Sequence, residues 1–176
     1  MHPASSCKGN GQVLKSVIKS LLVISLLQVT LFARDININK IIEEASKSNK
    51  KIFLFLHKTG CSYCNSMLEF TLDDDKVKAL VKKDFSFTHI NISEKDTVTY
   101  KEFRGSGKEF AKLVGHNFYP TSLFFDYDRE IVYAVSGYQE EDDFLVTLKY
   151  IDSGAYKLMD IDDYIESIHF KKRTTD

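Results

Sequence analysis

The chain has 176 residues, 43% of them hydrophobic, and carries 24 basic against 25 acidic side chains for a formal charge of −1. That length and apolar content suit one globular domain. The even charge balance, with no basic cluster, excludes the electrostatic footprint of a nucleic-acid binder.

Residues 1–33 differ from the rest. Lys8, Lys15 and Lys19 are the only charged side chains there, and they precede an apolar stretch, Leu21 to Phe32, that ends in Leu31-Phe32-Ala33. A positive flank, a short apolar core and a small residue form the pattern of a secretory signal, with cleavage after Ala33. The stretch is short and includes Ser25, Gln28 and Thr30, which disfavours a membrane span; an uncleaved N-terminal anchor is the competing reading. Residues 1–12 are long and polar for such a leader, so a translation start at Val13 or Leu14 is expected. Removal of residues 1–33 leaves a domain over 34–170 and a frayed tail over 171–176. The mature chain then keeps 21 basic and all 25 acidic residues, a net charge of −4, and loses Cys7.

Ile38, Ile41, Ile42 and Ala45 recur at helical spacing, with Asn37 or Asn39 as the cap. Ile52 to His57 is a continuous apolar run of strand length. A helix follows to about Phe70, and Asp73, Asp74 and Asp75 open the next one as cap and dipole partners rather than as a metal site. Val77, Leu80 and Val81 give that helix its apolar stripe. Phe85 to Ile92 alternates as a second strand, and Ser93 to Arg104 is patternless and expected to be a loop. Ser106-Gly107-Lys108-Glu109 is a capping box opening a helix through Val114. Ser122 to Phe125 and Ile131 to Val135 are strands joined by a turn over Asp126 to Glu130. Phe144, Leu145, Leu148 and Ile151 mark a helix, and a short one follows near Ile161 to Ile168.

Between the first strand and its helix stands Cys61-Ser62-Tyr63-Cys64. In the order strand, turn, Cys-x-x-Cys, helix, this spacing points to redox chemistry. Both sulfurs share one helix face, and free backbone N–H groups at a helix start favour a thiolate. An exposed first cysteine can attack a disulfide, and a deeper second one can resolve the mixed disulfide. Closing so short a loop stabilises a fold little, so chemistry is the better reason for the pair. His57 with the two cysteines offers three metal ligands, one short of a closed zinc site; no metal is expected. His89, His116 and His169 are isolated in sequence. Haem attachment needs a histidine where Asn65 stands.

Over roughly Ile36 to Ile151 this order resembles the thioredoxin fold. It is more closely similar to bacterial exported thioredoxin-like proteins, among them the C-terminal domain of DsbD and the SoxW-type thioredoxins. The matching residues are Cys61, Cys64, Met67, Glu69, Asp73 to Asp75, Val77 to Val81 and Phe85 to Ile92. Pro120-Thr121, Phe125-Asp126 and Gly137-Tyr138 continue the match in the second half. The resemblance implies an α/β fold, with a central mixed sheet of four to five strands flanked by helices. It implies Cys61 as the attacking thiol, Cys64 as the resolving one, and Pro120 as a cis-proline against the disulfide. Tyr63, Tyr119 and Thr121 would join Pro120 in holding a substrate peptide, with the Tyr119 backbone offering an edge. The function implied is an exported thiol–disulfide oxidoreductase of the periplasm, or one anchored to the membrane and facing it. Its partners would be disulfide-bearing exported proteins and a membrane thiol that donates electrons. The Cys61–Cys64 disulfide is the only redox group required, with no further cofactor, and a monomer is expected. An oxidase or isomerase of the same fold and a non-catalytic peptide-binding module are the alternatives.

Two positions depart from the family. Phe55 stands six residues before the first cysteine, where thioredoxins carry a buried acid. Gly60 stands where they carry a tryptophan, and the chain has none. Proton transfer at Cys64 is left to water, Lys58, His57 or Glu69.

Overall fold

The computed structural model describes residues 33–175, which cluster as one compact unit; the leader before Ala33 and its proposed boundary at 12 lie outside the described residues. In chain order the elements are β1 (Asp35–Asn37), α1 (Ile38–Lys47), β2 (Lys51–His57), α2 (Ser62–Ser66) running into a π-helical turn (Met67–Thr71), and α3 (Asp75–Asp84). Then come β3 (Phe85–Asn91), β4 (Thr97–Tyr100), β5 (Phe103–Ser106), α4 (Gly107–Leu113), β6 (Thr121–Phe125) and β7 (Ile131–Ser136). The chain closes with α5 (Glu141–Asp152), a 3-10 turn (Ala155–Lys157) and α6 (Ile161–Thr175).

A four-stranded sheet in the order β3-β2-β6-β7 forms the centre. β2 runs parallel to β3 and antiparallel to β6, so the strand that delivers the chain to Cys61 has a partner on each side. Both faces of β2 are covered, which explains its unbroken apolar run. Ile52, Leu54 and Leu56 face one cluster with Ile38 and Ile42 of α1 and Phe110 of α4. Phe53 and Phe55 face a second cluster with Met67, Val77, Phe144, Leu148 and Ile151. The period-two alternation of a strand assigns each side chain to its layer.

Asn37 caps α1 by accepting from the Lys40 amide, and Asp74 caps α3 by accepting from Lys76 and Val77. The reciprocal capping box between Ser106 and Glu109 starts α4. Gly107 permits a close approach there, because a Cβ would lie 2.6 Å from Ile90 Cγ2.

Two expectations are corrected. The segment Ser93 to Arg104 is not a loop throughout, for β4 and β5 pair antiparallel within it and β1 adds parallel to β4, making a three-stranded sheet. Val98 and Tyr100 are buried on one side of β4 while Thr97 and Thr99 are only half-buried. That is strand alternation in a piece too short to stand out among its charged neighbours. The last helix does not stop near Ile168 either, since α6 runs to Thr175. Asp160 Oδ1 accepts from the Asp163 amide at the start of that helix. Ile161 and Tyr164 pack on the second cluster, and Lys171 and Arg173 near its end suit the helix dipole.

Candidate active site

β2 ends at His57, and Gly60 takes a positive φ of 74° to turn the chain into α2. Cys61 is the residue that caps α2: its Sγ accepts from the Cys64 amide at 3.1 Å. The two cysteines form a disulfide. Cys64 is fully buried and Cys61 is 8% exposed, so the first residue is the more accessible of the pair. A thiolate at Cys61 would keep the Cys64 N–H as its donor, and this is a direct means of stabilising it.

The second side of the site comes from the chain entering β6. The Tyr119–Pro120 bond is cis, and the Tyr119 carbonyl oxygen lies 3.7 Å from Cys61 Sγ. This carbonyl can accept the S–H when the pair is reduced. Pro120 and Thr121 are buried. Thr121 Oγ1 bonds the Phe118 carbonyl at 2.7 Å and lies 2.8 Å from Ser136 Oγ, and the Gly137 amide donates to the Pro120 carbonyl. Thr121 therefore helps hold the loop. The Tyr119 ring packs against the first core cluster. Tyr63 is 67% exposed, and Phe118, which sequence reasoning passed over, is 78% exposed. Tyr63 lies between the two cysteines in the chain, and Phe118 directly precedes Tyr119, whose carbonyl faces Cys61.

The residues considered for proton transfer separate clearly. Lys58 and Glu69 are exposed; Glu69 lines an acidic cleft with Asp73, Asp74, Glu140 and Glu141. His57 is buried, stacked on Phe55, and its Nε2 lies 3.0 Å from His89 Nδ1. Parallel pairing explains this contact, because Phe55 is opposite His89 and alternation places His57 and His89 on the face shared with Phe53 and Phe87. The Arg34 guanidinium, 3.4 Å from His89 Nε2, can only donate. His89 Nε2 therefore accepts, and its Nδ1–H donates to His57 Nε2. Nothing in the one-dimensional spacing of Arg34, His57 and His89 signals this chain of contacts. Among the described residues, no group of three or more His, Cys, Asp or Glu is placed to hold a metal ion.

Burial, and then the neighbouring His89, push the His57 imidazole down from 6.5 to about 4. A group that stays neutral when folded gives stability that is whole above its unfolded value and is lost as pH falls from about 6.5 towards about 4. Urea unfolding at pH 7, 5.5 and 4.5 is expected to show this loss, of the order of a few kcal/mol. His57→Phe should flatten that part of the profile; an unchanged slope would assign it to other groups.

Comparison with known proteins matches this geometry. A thioredoxin-fold protein from Helicobacter pylori superposes with a TM-score of 0.59 at 23% identity, over 73% of this chain and 88% of its own. A thioredoxin from Thermus thermophilus gives 0.53 at 21% identity, over 68% and 86%. The DsbH oxidoreductase gives 0.51 at 16% identity, over 76% and 94%. At such identities the likeness is one of fold. Among curated proteins no sequence match is found. The model of the thioredoxin-like domain family matches residues 38–152, and the chain, with its Cys61–Cys64 pair at a helix start, belongs to that family.

Proposed function

We propose that this protein is an exported thiol–disulfide oxidoreductase that reduces disulfides in periplasmic proteins. The observation that carries the chemistry is the unequal burial of the pair: Cys61 reaches solvent at the start of α2 and Cys64 does not. In the dithiol state the Cys61 thiolate attacks a substrate disulfide. A Cys61–substrate S–S bond forms, and the leaving substrate sulfur takes a proton. Cys64, losing its own proton, then attacks Cys61 Sγ and restores the internal disulfide, and the second substrate sulfur leaves as a thiol. The substrate has gained two electrons and two protons. A thiol donor in the membrane returns both to the pair. Tyr63 and Phe118 flank the approach, and the Tyr119 backbone offers the peptide its edge.

Export rests on the leader pattern of residues 1–33 and on a mature chain whose only cysteines are the redox pair. Among the described residues, no helix is long and apolar enough to cross a membrane.

An oxidase of the same fold is the second reading, and the potential decides between them. Ser62 and Tyr63 add no positive charge beside Cys61, so the reduced state lacks the extra stabilisation that makes a strong oxidant. Equilibration with glutathione is expected to give a potential more reducing than about −170 mV; a value near −120 mV would make the protein an oxidant.

A further inference from the structure

Arg34 directly follows the small-residue boundary at Ala33, and its main chain and side chain converge on one carboxylate. The main-chain nitrogen donates to Asp96 Oδ1 at 2.9 Å, and Nε and Nη2 donate to Asp96 Oδ2 at 3.0 and 2.7 Å. Asp96 is only 5% exposed. A carboxylate so withdrawn from water needs charge-assisted partners, and Arg34 supplies these three bonds. The Arg34 carbonyl accepts from the Thr97 amide, so the starts of β1 and β4 are joined at this point. The guanidinium continues to Glu94 at 3.2 Å and to His89 at 3.4 Å. Glu94 in turn accepts from Asn91 Nδ2, which also donates to Thr59 Oγ1 two residues before Cys61. The contact thus connects the first residues of the domain to the redox turn.

We propose that the Ala33–Arg34 bond is the processing site and that the α-ammonium it releases on Arg34 forms an ion pair with the buried Asp96, a lock that exists only in the mature chain. The inference rests on the leader reading above. Hydrolysis by an export-linked peptidase consumes one water. Ala33 leaves as a carboxylate, the Arg34 amide becomes an ammonium, and nothing is oxidised or reduced. The ammonium occupies the place of the amide donor at Asp96 Oδ1. A hydrogen bond from a neutral donor to the carboxylate there becomes one from a charged donor, which adds an ion pair at the same oxygen.

The charged and titratable groups around this nitrogen are few. Asp96 and Glu94 approach from the segment before β4, His89 from β3, and the guanidinium belongs to Arg34 itself. Asp35, next along β1, is engaged by Arg104 of β5. An α-amino group in an unfolded chain titrates near 7.7–8.0, and pairing with Asp96 raises it in the folded chain. The stability it contributes is therefore whole below about 7.7 and is lost as pH rises through the folded value.

The test expresses the full precursor, recovers the exported protein and sequences its N-terminus. In parallel, a precursor with one glycine inserted between Ala33 and Arg34 yields a mature chain in which Arg34 keeps a neutral amide. The native protein is expected to begin at Arg34 and to melt about 2–4 °C above the inserted one at pH 6.5. The two melting curves are expected to converge by about pH 10, since the ammonium is then neutral. Asp96→Asn should abolish the dependence on the insertion. An Arg34 terminus with a gap that does not change with pH would overturn the ion pair and leave the leader reading intact. A retained leader, or a terminus elsewhere, would overturn the leader reading and this inference with it. Neither outcome touches the chemistry assigned to Cys61 and Cys64.

Discussion

Cys61→Ser is expected to reduce a model disulfide such as insulin no faster than the uncatalysed background. The more accessible cysteine of the pair is then gone, and Cys64, fully buried, cannot take its place. Cys64→Ser is expected to fail differently. Its Cys61 thiolate still attacks, but no second thiol resolves the mixed disulfide, so substrate remains covalently attached. Mass spectrometry of the exported fraction would show adducts on the Cys64 variant and none on the Cys61 variant. Equal behaviour of the two, with no adduct on either, would mean that the pair has been assigned the wrong division of work. The same adducts would identify the substrates.

Phe53→Ala is expected to cost about 3–5 kcal/mol and lower the melting temperature by roughly 10 °C or more. Phe53 is fully buried in the central strand, and its ring centroid lies 5.0 Å from Phe87, 5.2 Å from Phe124 and 5.4 Å from Phe144. Its loss opens a cavity between three elements that hold one another in place, β3, β6 and α5. Phe118→Ala makes a suitable control, because that ring is 78% exposed and its removal should change stability by less than about 0.5 kcal/mol. A Phe53 variant as stable as the control would show that the second cluster can collapse around the gap.

Much of this architecture is legible in the chain because local signals agree with the tertiary ones. β2 reads as a strand from its continuous apolar run, and the structure covers it on both faces. The Ser106–Glu109 capping box and the Asp74 cap are local devices whose partners lie within three residues, so spacing alone exposes them. What escapes is non-local. In the β4–β5 hairpin only β4 alternates, and both strands are four residues long with charged neighbours. The His57–His89 contact joins residues 32 apart, and Arg34 meets Asp96 across 62. Such pairs follow from strand register, which a sequence reveals only once the strands are already paired. Thr121 adds a detail that its place beside Pro120 does not signal: its hydroxyl bonds the Phe118 carbonyl and lies against Ser136 Oγ.

The acidic cleft has a kinetic consequence. Glu69 stands five residues after Cys64, and Tyr138, also on the cleft wall, follows the glycine that bonds the Pro120 carbonyl. The helical segment that starts at the cysteine pair thus runs into a cleft of concentrated negative charge, offset in part by Lys78 on Asp73, in a chain whose mature form would carry a net −4. Cationic disulfide substrates gain encounter rate from that field and anionic ones lose it, most strongly at low ionic strength. Glutathione is an anion at neutral pH, so it approaches against the field. Its exchange with the protein is therefore expected to quicken as salt is added, without salt itself deciding which way the electrons run.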